Sequence, residues 1–270
     1  MDLRLKGKTA LVTGGSEGIG KAVALGLARE GVDVAICARS AETLNKAAQE
    51  IAKETGRKIY AIPADLTKDA DAKNFVLKGA ELLGGRVDIM VNNAGSAPGG
   101  IIENLTEADW AQALQLKFMG YVRCTRYVLP IMRKQGGGRF VNVIGNDGVK
   151  ASYWEIAPGA ANAAGQNLFL SLAGQYGKDN ISFVSVNPGP VMTERLTRLM
   201  KTAAHDMGLS LEAMLKDMDN SIPMGRAATT EEVADAVVML ASPRLHYLTG
   251  TMFEIDGGQE KALMDRARNK

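Results

Sequence analysis

Short apolar runs rich in β-branched residues alternate along this chain with longer segments whose apolar positions recur every three or four residues. Runs of the first kind read as strands buried on both faces. They fall at Thr9–Val12, Asp33–Cys37, Ile59–Ala64, Ile89–Val91, Phe140–Ile144, Ser182–Val186 and Met252–Ile255. The longer segments, around 18–30, 41–55, 67–84, 106–134, 158–177 and 230–241, carry the period of amphipathic helices. Strands separated by whole helices cannot pair as hairpins. The pattern therefore predicts an α/β architecture, a doubly wound parallel sheet with right-handed crossovers. No linker, repeat or low-complexity stretch divides residues 1–270, which predicts a single domain. One segment, about residues 192–226, falls outside the alternation and is helical in texture. It follows a strand end, where ligands of such sheets gather, and so predicts a lid.

Composition narrows the partners. The chain has 32 Lys and Arg against 30 Asp and Glu, a net charge of +2, with both signs interspersed. Neither nucleic acid nor an anionic membrane is implied, and an aromatic content of 5% argues against a base-stacking surface. Cys37 and Cys124 lie inside apolar elements without ligand-like neighbours in the sequence, so they read as reduced core thiols and no metal site is expected. The opening Met1-Asp2-Leu3-Arg4-Leu5-Lys6 has no apolar stretch, and no run of about 18 apolar residues occurs anywhere. A cytoplasmic location is expected.

The first motif with chemistry is Thr13-Gly14-Gly15-Ser16-Glu17-Gly18-Ile19-Gly20. It follows the apolar run Ala10-Leu11-Val12 and opens a helical pattern. Glycines at 14, 18 and 20 suit a tight strand-to-helix turn that bares backbone N–H groups at a helix N-terminus. Those donors and the helix dipole together favour a pyrophosphate. The expected ligand is a dinucleotide.

With Asn92-Asn93-Ala94-Gly95, Asn187-Pro188-Gly189-Pro190-Val191-Met192-Thr193 and Thr249-Gly250 through Asp256-Gly257-Gly258, the glycine motif makes four signals in order. In them the chain resembles the short-chain dehydrogenase/reductase family over essentially its whole length. The resemblance implies a Rossmann-like fold, a nicotinamide cofactor, a small-molecule substrate and a homotetramer or homodimer. It places Gly14, Ser16, Gly18, Ile19 and Gly20 around the cofactor phosphates, and Asp65 and Leu66 at the adenine. Asn92, Ala94 and Gly95 would line the ribose side, and Pro188, Gly189, Val191 and Thr193 would hold the carboxamide. An NAD-preferring site wants a carboxylate at the end of the second strand. This chain has Ala38 there, followed by Arg39 and Ser40. A guanidinium and a hydroxyl suit a 2′-phosphate, so NADP is expected over NAD. Glu17 pulls the other way, because similar NADP-binding sequences often carry a base at its position.

The resemblance then breaks where the family does its chemistry. Its serine falls on Gly145, its tyrosine on Pro158, its lysine on Asn162 and its helix asparagine on Lys117. No Tyr-x-x-x-Lys occurs between residues 120 and 190. Proline offers no proton and a neutral amide supplies no field, and losing a positioned acid costs on the order of 10²–10⁴ in rate. Three residues are candidates to refill the site. Lys117 shares a helical stripe with Trp110, Leu114, Tyr121, Thr125 and Val128 and points inward; it reads as a relocated ammonium or as an apolar stem with a snorkelling head. Tyr153 is a phenol from a new direction or a wall aromatic, and Asp147 a base or a turn residue. Asn162 remains a ribose hydrogen-bonding candidate. Met192, Met200, Met207, Met214, Met218 and Met224 in the lid suit a bulky, largely apolar substrate or simple helix packing. His205 reads as a solvated side chain and His246 as a structural one. Three functions stay open: an atypical NADP-dependent oxidoreductase, a lyase, isomerase or hydrolase on the same scaffold, and a non-catalytic nucleotide-binding protein.

Overall fold

A computed structural model describes residues 1–260; the last ten residues of the expected domain lie outside that range. Its seven strands are β1 (Thr9–Thr13), β2 (Asp33–Cys37), β3 (Ile59–Ala61), β4 (Ile89–Asn92), β5 (Gly138–Val143), β6 (Ile181–Pro188) and β7 (Thr251–Ile255). They form one sheet in the order β3-β2-β1-β4-β5-β6-β7, and every pairing is parallel. The winding reverses between β1 and β4, so the loops leaving those two strands diverge and open a crevice at their carboxyl ends.

The long helices are α1 (Gly18–Arg29), α2 (Ala41–Thr55), α3 (Asp69–Leu82), α4 (Glu107–Ala113), α5 (Met119–Lys134), α6 (Ile156–Tyr176), α7 (Glu194–Asp206), α8 (Leu211–Asn220) and α9 (Thr230–Ala241). One face of the sheet packs Val12, Ile36 and Val184 against Val23 and Leu27 of α1 and Val237 of α9. The other packs Leu11, Met90 and Phe140 against Phe75 of α3, Val128 of α5 and Phe169 of α6. Covering both faces is what makes the strands read as continuous apolar runs.

Two expectations about elements change. The helix expected over 106–134 is interrupted by a π-helical turn, Leu114–Phe118, with Lys117 inside it. A π turn carries one residue more than an α turn and is common at functional sites. The third strand is regular only through Ala61, although Ile62 and Ala64 still donate to the carbonyls of Ile36 and Ala38. The 192–226 segment is the helix pair α7 and α8, which with Trp154 forms a small core of its own. Among the described residues no helix is long and apolar enough to cross a membrane.

Candidate active site

The crevice continues into a cavity of about 1230 Å³. Its floor is the β1–α1 turn. Thr13 ends β1 buried, and its hydroxyl oxygen accepts from the Asn93 and Ala94 N–H groups at 2.8 and 3.0 Å, tying the β1 and β4 ends together. A Cβ on Gly20 would be driven into the Gly14 carbonyl and sit 2.5 Å from Asn93 Nδ2. Only glycine lets α1 start this close to the turn. Gly14 and Gly18 have φ of 70° and 55°, the left-handed region glycine favours. No side chain caps the N-terminus of α1, which leaves its first donors to a ligand. The residues expected around a pyrophosphate all line the cavity. Glu17 is an exposed member of that wall, with Arg198 of α7 3.8 Å away.

Arg39 and Ser40 also line the cavity, and Ser40 caps α2 by accepting the Thr43 N–H. Leu66, Ala94 and Gly95 line the middle, and Pro188, Gly189, Val191 and Thr193 the opposite wall. Thr193 caps α7 by accepting the Leu196 N–H at 3.1 Å. Asp65 and Asn92 do not line the cavity. The Asp65 carboxylate accepts from the Thr67 N–H and hydroxyl at 3.1 and 2.8 Å, closing a turn. The buried Asn92 amide donates to Asn142 Oδ1 at 2.9 Å inside the sheet.

At the far end stand the four positions that the resemblance aligns with the family's reacting groups. Gly145, Pro158, Asn162 and Lys117 all line the cavity. The space beside Gly145 is not empty. A Cβ there would lie 2.5 Å from Asn162 Nδ2 and 2.7 Å from Asp147 Oδ1, and the Asn162 amide donates to that Asp147 oxygen. Asn162 is thereby committed to Asp147.

Lys117 is only 8% exposed and lies along Gly95, where a Cβ would come within 3.2 Å of Lys117 Cγ. Burial lowers its pKa, Asp147 and Glu155 oppose that shift, and the nearby Arg195 guanidinium adds to it. A snorkelling head is therefore not what this lysine shows. Tyr153 is 38% exposed and does not line the cavity, whereas the adjacent Trp154 is buried. The phenol that does line the cavity is Tyr121, which donates to the Val143 carbonyl at 2.7 Å. Burial raises its pKa, so it is not primed to give a proton.

Among the cavity residues not singled out in the sequence are Glu155 and Arg195. Glu155 precedes α6, one turn before Pro158. Burial, then the Asp147 charge, pushes its carboxyl up to about 7. Arg195 sits in the first turn of α7, where a cation opposes the helix dipole. That misfit was the available signal for it. Glu155 gave none, since an acid is ordinary at a helix start.

The lid methionines split. Met200, Met214 and Met218 are buried among themselves and Trp154, while Met192 lines the cavity and is 51% exposed. His205 is solvent-exposed beside Asp206. His246 bonds Asn180 Oδ1 at 2.8 Å, holding the turn before β7. Cys37 and Cys124 are buried free thiols, and no group of metal-ligating side chains occurs among the described residues.

A parallel sheet with a glycine cradle and an uncapped helix start at its switch point defines a dinucleotide-type α/β protein. Residues 8–204 match the family model for short chain dehydrogenases, and the chain belongs to that family. It is 35% identical over 259 residues to the rhamnolipids biosynthesis 3-oxoacyl-[acyl-carrier-protein] reductase of Pseudomonas aeruginosa, covering 94% of this chain and 96% of that protein. An uncharacterized oxidoreductase of Bacillus subtilis is 33% identical over 267 residues, 97% and 100% of the two chains. Among solved structures, L-sorbose reductase from Gluconobacter frateurii, complexed with NADPH and L-sorbose, superposes with a TM-score of 0.89 at 31% identity, covering 97% of this chain and 100% of that one.

Proposed function

We propose that this protein is an oxidoreductase that uses NADP(H) on a small-molecule carbonyl or alcohol, with the family's proton-delivery set replaced by charged groups in new places. The carrying observation is that one cavity joins Arg39 and Ser40, the glycine cradle, and the cluster of Lys117, Asp147 and Asn162. The cradle that a Cβ would fill fits a dinucleotide, and the NADPH held by the sorbose reductase supports the choice. When bound, NADPH supplies a hydride and NADP accepts one. The N–H groups around Gly18 would hold the pyrophosphate, Arg39 and Ser40 the 2′-phosphate, and Pro188 to Thr193 the carboxamide.

The chain's own work at the reactive end is electrostatic. Lys117, a buried residue on the cavity wall whose Nζ has no hydrogen-bond partner among the described residues, orients the substrate oxygen. Asp147 Oδ1 accepts from Asn162 Nδ2 and fixes the amide on the wall. These charged groups favour a substrate that is polar at its reactive end. The bulky apolar expectation now rests on Met192, since Met200, Met214 and Met218 are spent on the lid's own core. Homodimers or homotetramers are proposed from the apolar groove of Val122, Leu129, Leu168 and Leu172 between α5 and α6.

The test is binding of NADPH and NADH by fluorescence, then NADPH consumption across ketones, aldehydes and quinones. Tight, NADPH-selective binding with turnover of some carbonyl is expected. Absence of both refutes the proposal. The acid–base cluster also favours a non-redox reaction on the same scaffold, which product formation without any change in nicotinamide absorbance would reveal.

A further inference from the structure

Charged side chains that line a cavity normally pair with one another, because an unpaired buried charge is costly. Here three do not. Among the described residues no side-chain hydrogen bond and no ion pair within 4 Å engages Lys117, Glu155 or Arg195, although all three line the same end of the cavity. Lys117 is more than nine-tenths buried. They come from three separate elements: the π turn before α5, the start of α6 and the start of α7. Asp147, from the loop after β5, is the fourth charged group facing them and is already held by Asn162.

The fold holds Glu155 in place from both sides. Its N–H donates to Ser152 Oγ at 3.1 Å, and its carbonyl accepts the Gly159 N–H at 2.9 Å. It also bridges Gly100 in parallel, and the Gly100 N–H donates to the Trp154 carbonyl at 2.8 Å. The backbone is therefore pinned to the loop after β4 while the carboxyl is left without a partner. No side-chain bond explains its place on the cavity wall, where the residue is half-buried.

Resting on the oxidoreductase reading, we propose that Glu155 is the proton-transfer residue of this site, its carboxyl giving a proton to the substrate oxygen in place of the phenol that Pro158 cannot supply. In the reducing direction, hydride from NADPH forms the C–H bond as the C=O π bond breaks. The electron pair goes to oxygen, the Glu155 O–H bond breaks to form the new O–H, and solvent reprotonates the carboxylate. The oxidising direction reverses each step with NADP as hydride acceptor. Lys117 and Arg195 stabilise the carboxylate left behind, and Asp147 disfavours it. That balance raises the carboxyl to about 7, which lets it carry the proton a general acid gives.

Glu155→Gln and Glu155→Asp test this. On the cofactor-free protein, carbon-13 NMR of labelled glutamate is expected to show one carboxyl titrating near pH 7, absent from the Glu155→Gln spectrum. Titration in the ordinary carboxylate range overturns the proposal whatever the turnover. With NADPH and the best carbonyl substrate, Glu155→Gln is expected to lose about 10²–10⁴-fold in kcat with NADPH affinity unchanged. Glu155→Asp is expected to recover part of the loss, with a shifted pH profile. Wild-type kcat in Glu155→Gln overturns the assignment and spares the oxidoreductase reading. A wild-type protein that turns over no carbonyl, despite a Glu155 titrating near neutrality, overturns the redox reading and with it the role at a carbonyl oxygen.

Discussion

Putting back the family's serine at Gly145 is the sharpest check on whether the old catalytic slot is truly closed. Two costs are legible. Gly145 has φ of 155°, a conformation that side-chain-bearing residues rarely adopt, and holding one there costs about 1–3 kcal/mol. The new Cβ also falls 2.5 Å from Asn162 Nδ2 and 2.7 Å from Asp147 Oδ1. It must separate a charged hydrogen bond that contributes about 1.5–3 kcal/mol, of which the added hydroxyl regains at most a part. Gly145→Ser should therefore destabilise by about 2–5 kcal/mol, lowering Tm by on the order of 10 °C at about 2–4 °C per kcal/mol. Differential scanning calorimetry reads this directly. Gly84→Ser is the control: φ is 81° and nothing lies within 4 Å of its Cβ, so it carries the backbone cost alone. The double variant Gly145→Ser with Asn162→Ala should lose less than the two singles combined, because the clash and the broken bond are shared. A Gly145→Ser protein that melts within a degree of the wild type, or singles that add, would show that the slot is open and refute the reasoning.

Further outcomes are equally specific. Gly20→Ala forces its methyl against Gly14 and Asn93, so NADPH affinity measured by fluorescence titration should fall by at least about tenfold, with about 1–3 kcal/mol lost in urea unfolding. Arg39→Ala should weaken NADPH by about tenfold or more and leave NADH unchanged, since only the 2′-phosphate is lost; equal loss for both nucleotides would contradict that assignment. Met200→Ala empties a fully buried site in the lid core and should cost about 2–5 kcal/mol, again by urea unfolding. Folded Glu155 has its pKa raised to about 7, so its contribution to stability is fully present below the unfolded carboxyl range near pH 4.5 and is lost as pH rises through 7. Glu155→Gln removes that loss, so relative to wild type it should gain up to about 3 kcal/mol between pH 4.5 and 7.5 and hold the gain above.

The strands and most helices were legible because burial on both faces writes a strand as a continuous apolar run and burial on one face gives a helix a period of 3.6. The cradle was legible too, since Gly20 meets the Gly14 carbonyl six residues away and Gly14 and Gly18 take positive φ in the same turn. Resemblance brought Lys117 and Asp147 to the same wall that the structure gives them. Only the structure gives the partners of Asn92 and Asp65, which are Asn142 across the sheet and Thr67 in a turn. Tyr153 and Trp154 are adjacent, and only packing against the lid helices decides which of them is buried.

What the sequence alone determined, then, is the sheet, its crossovers and a glycine turn at the start of the first helix, all set by local hydrophobic patterning and by backbone conformations open only to glycine. What the tertiary structure decided is the electrostatics. Lys117, Asp147, Glu155 and Arg195 come from four segments as far apart as 78 residues in the chain, and no local pattern encodes that they share one low-dielectric wall. Charge interactions act through space and strengthen as water is excluded. They become readable only once folding has brought those segments together.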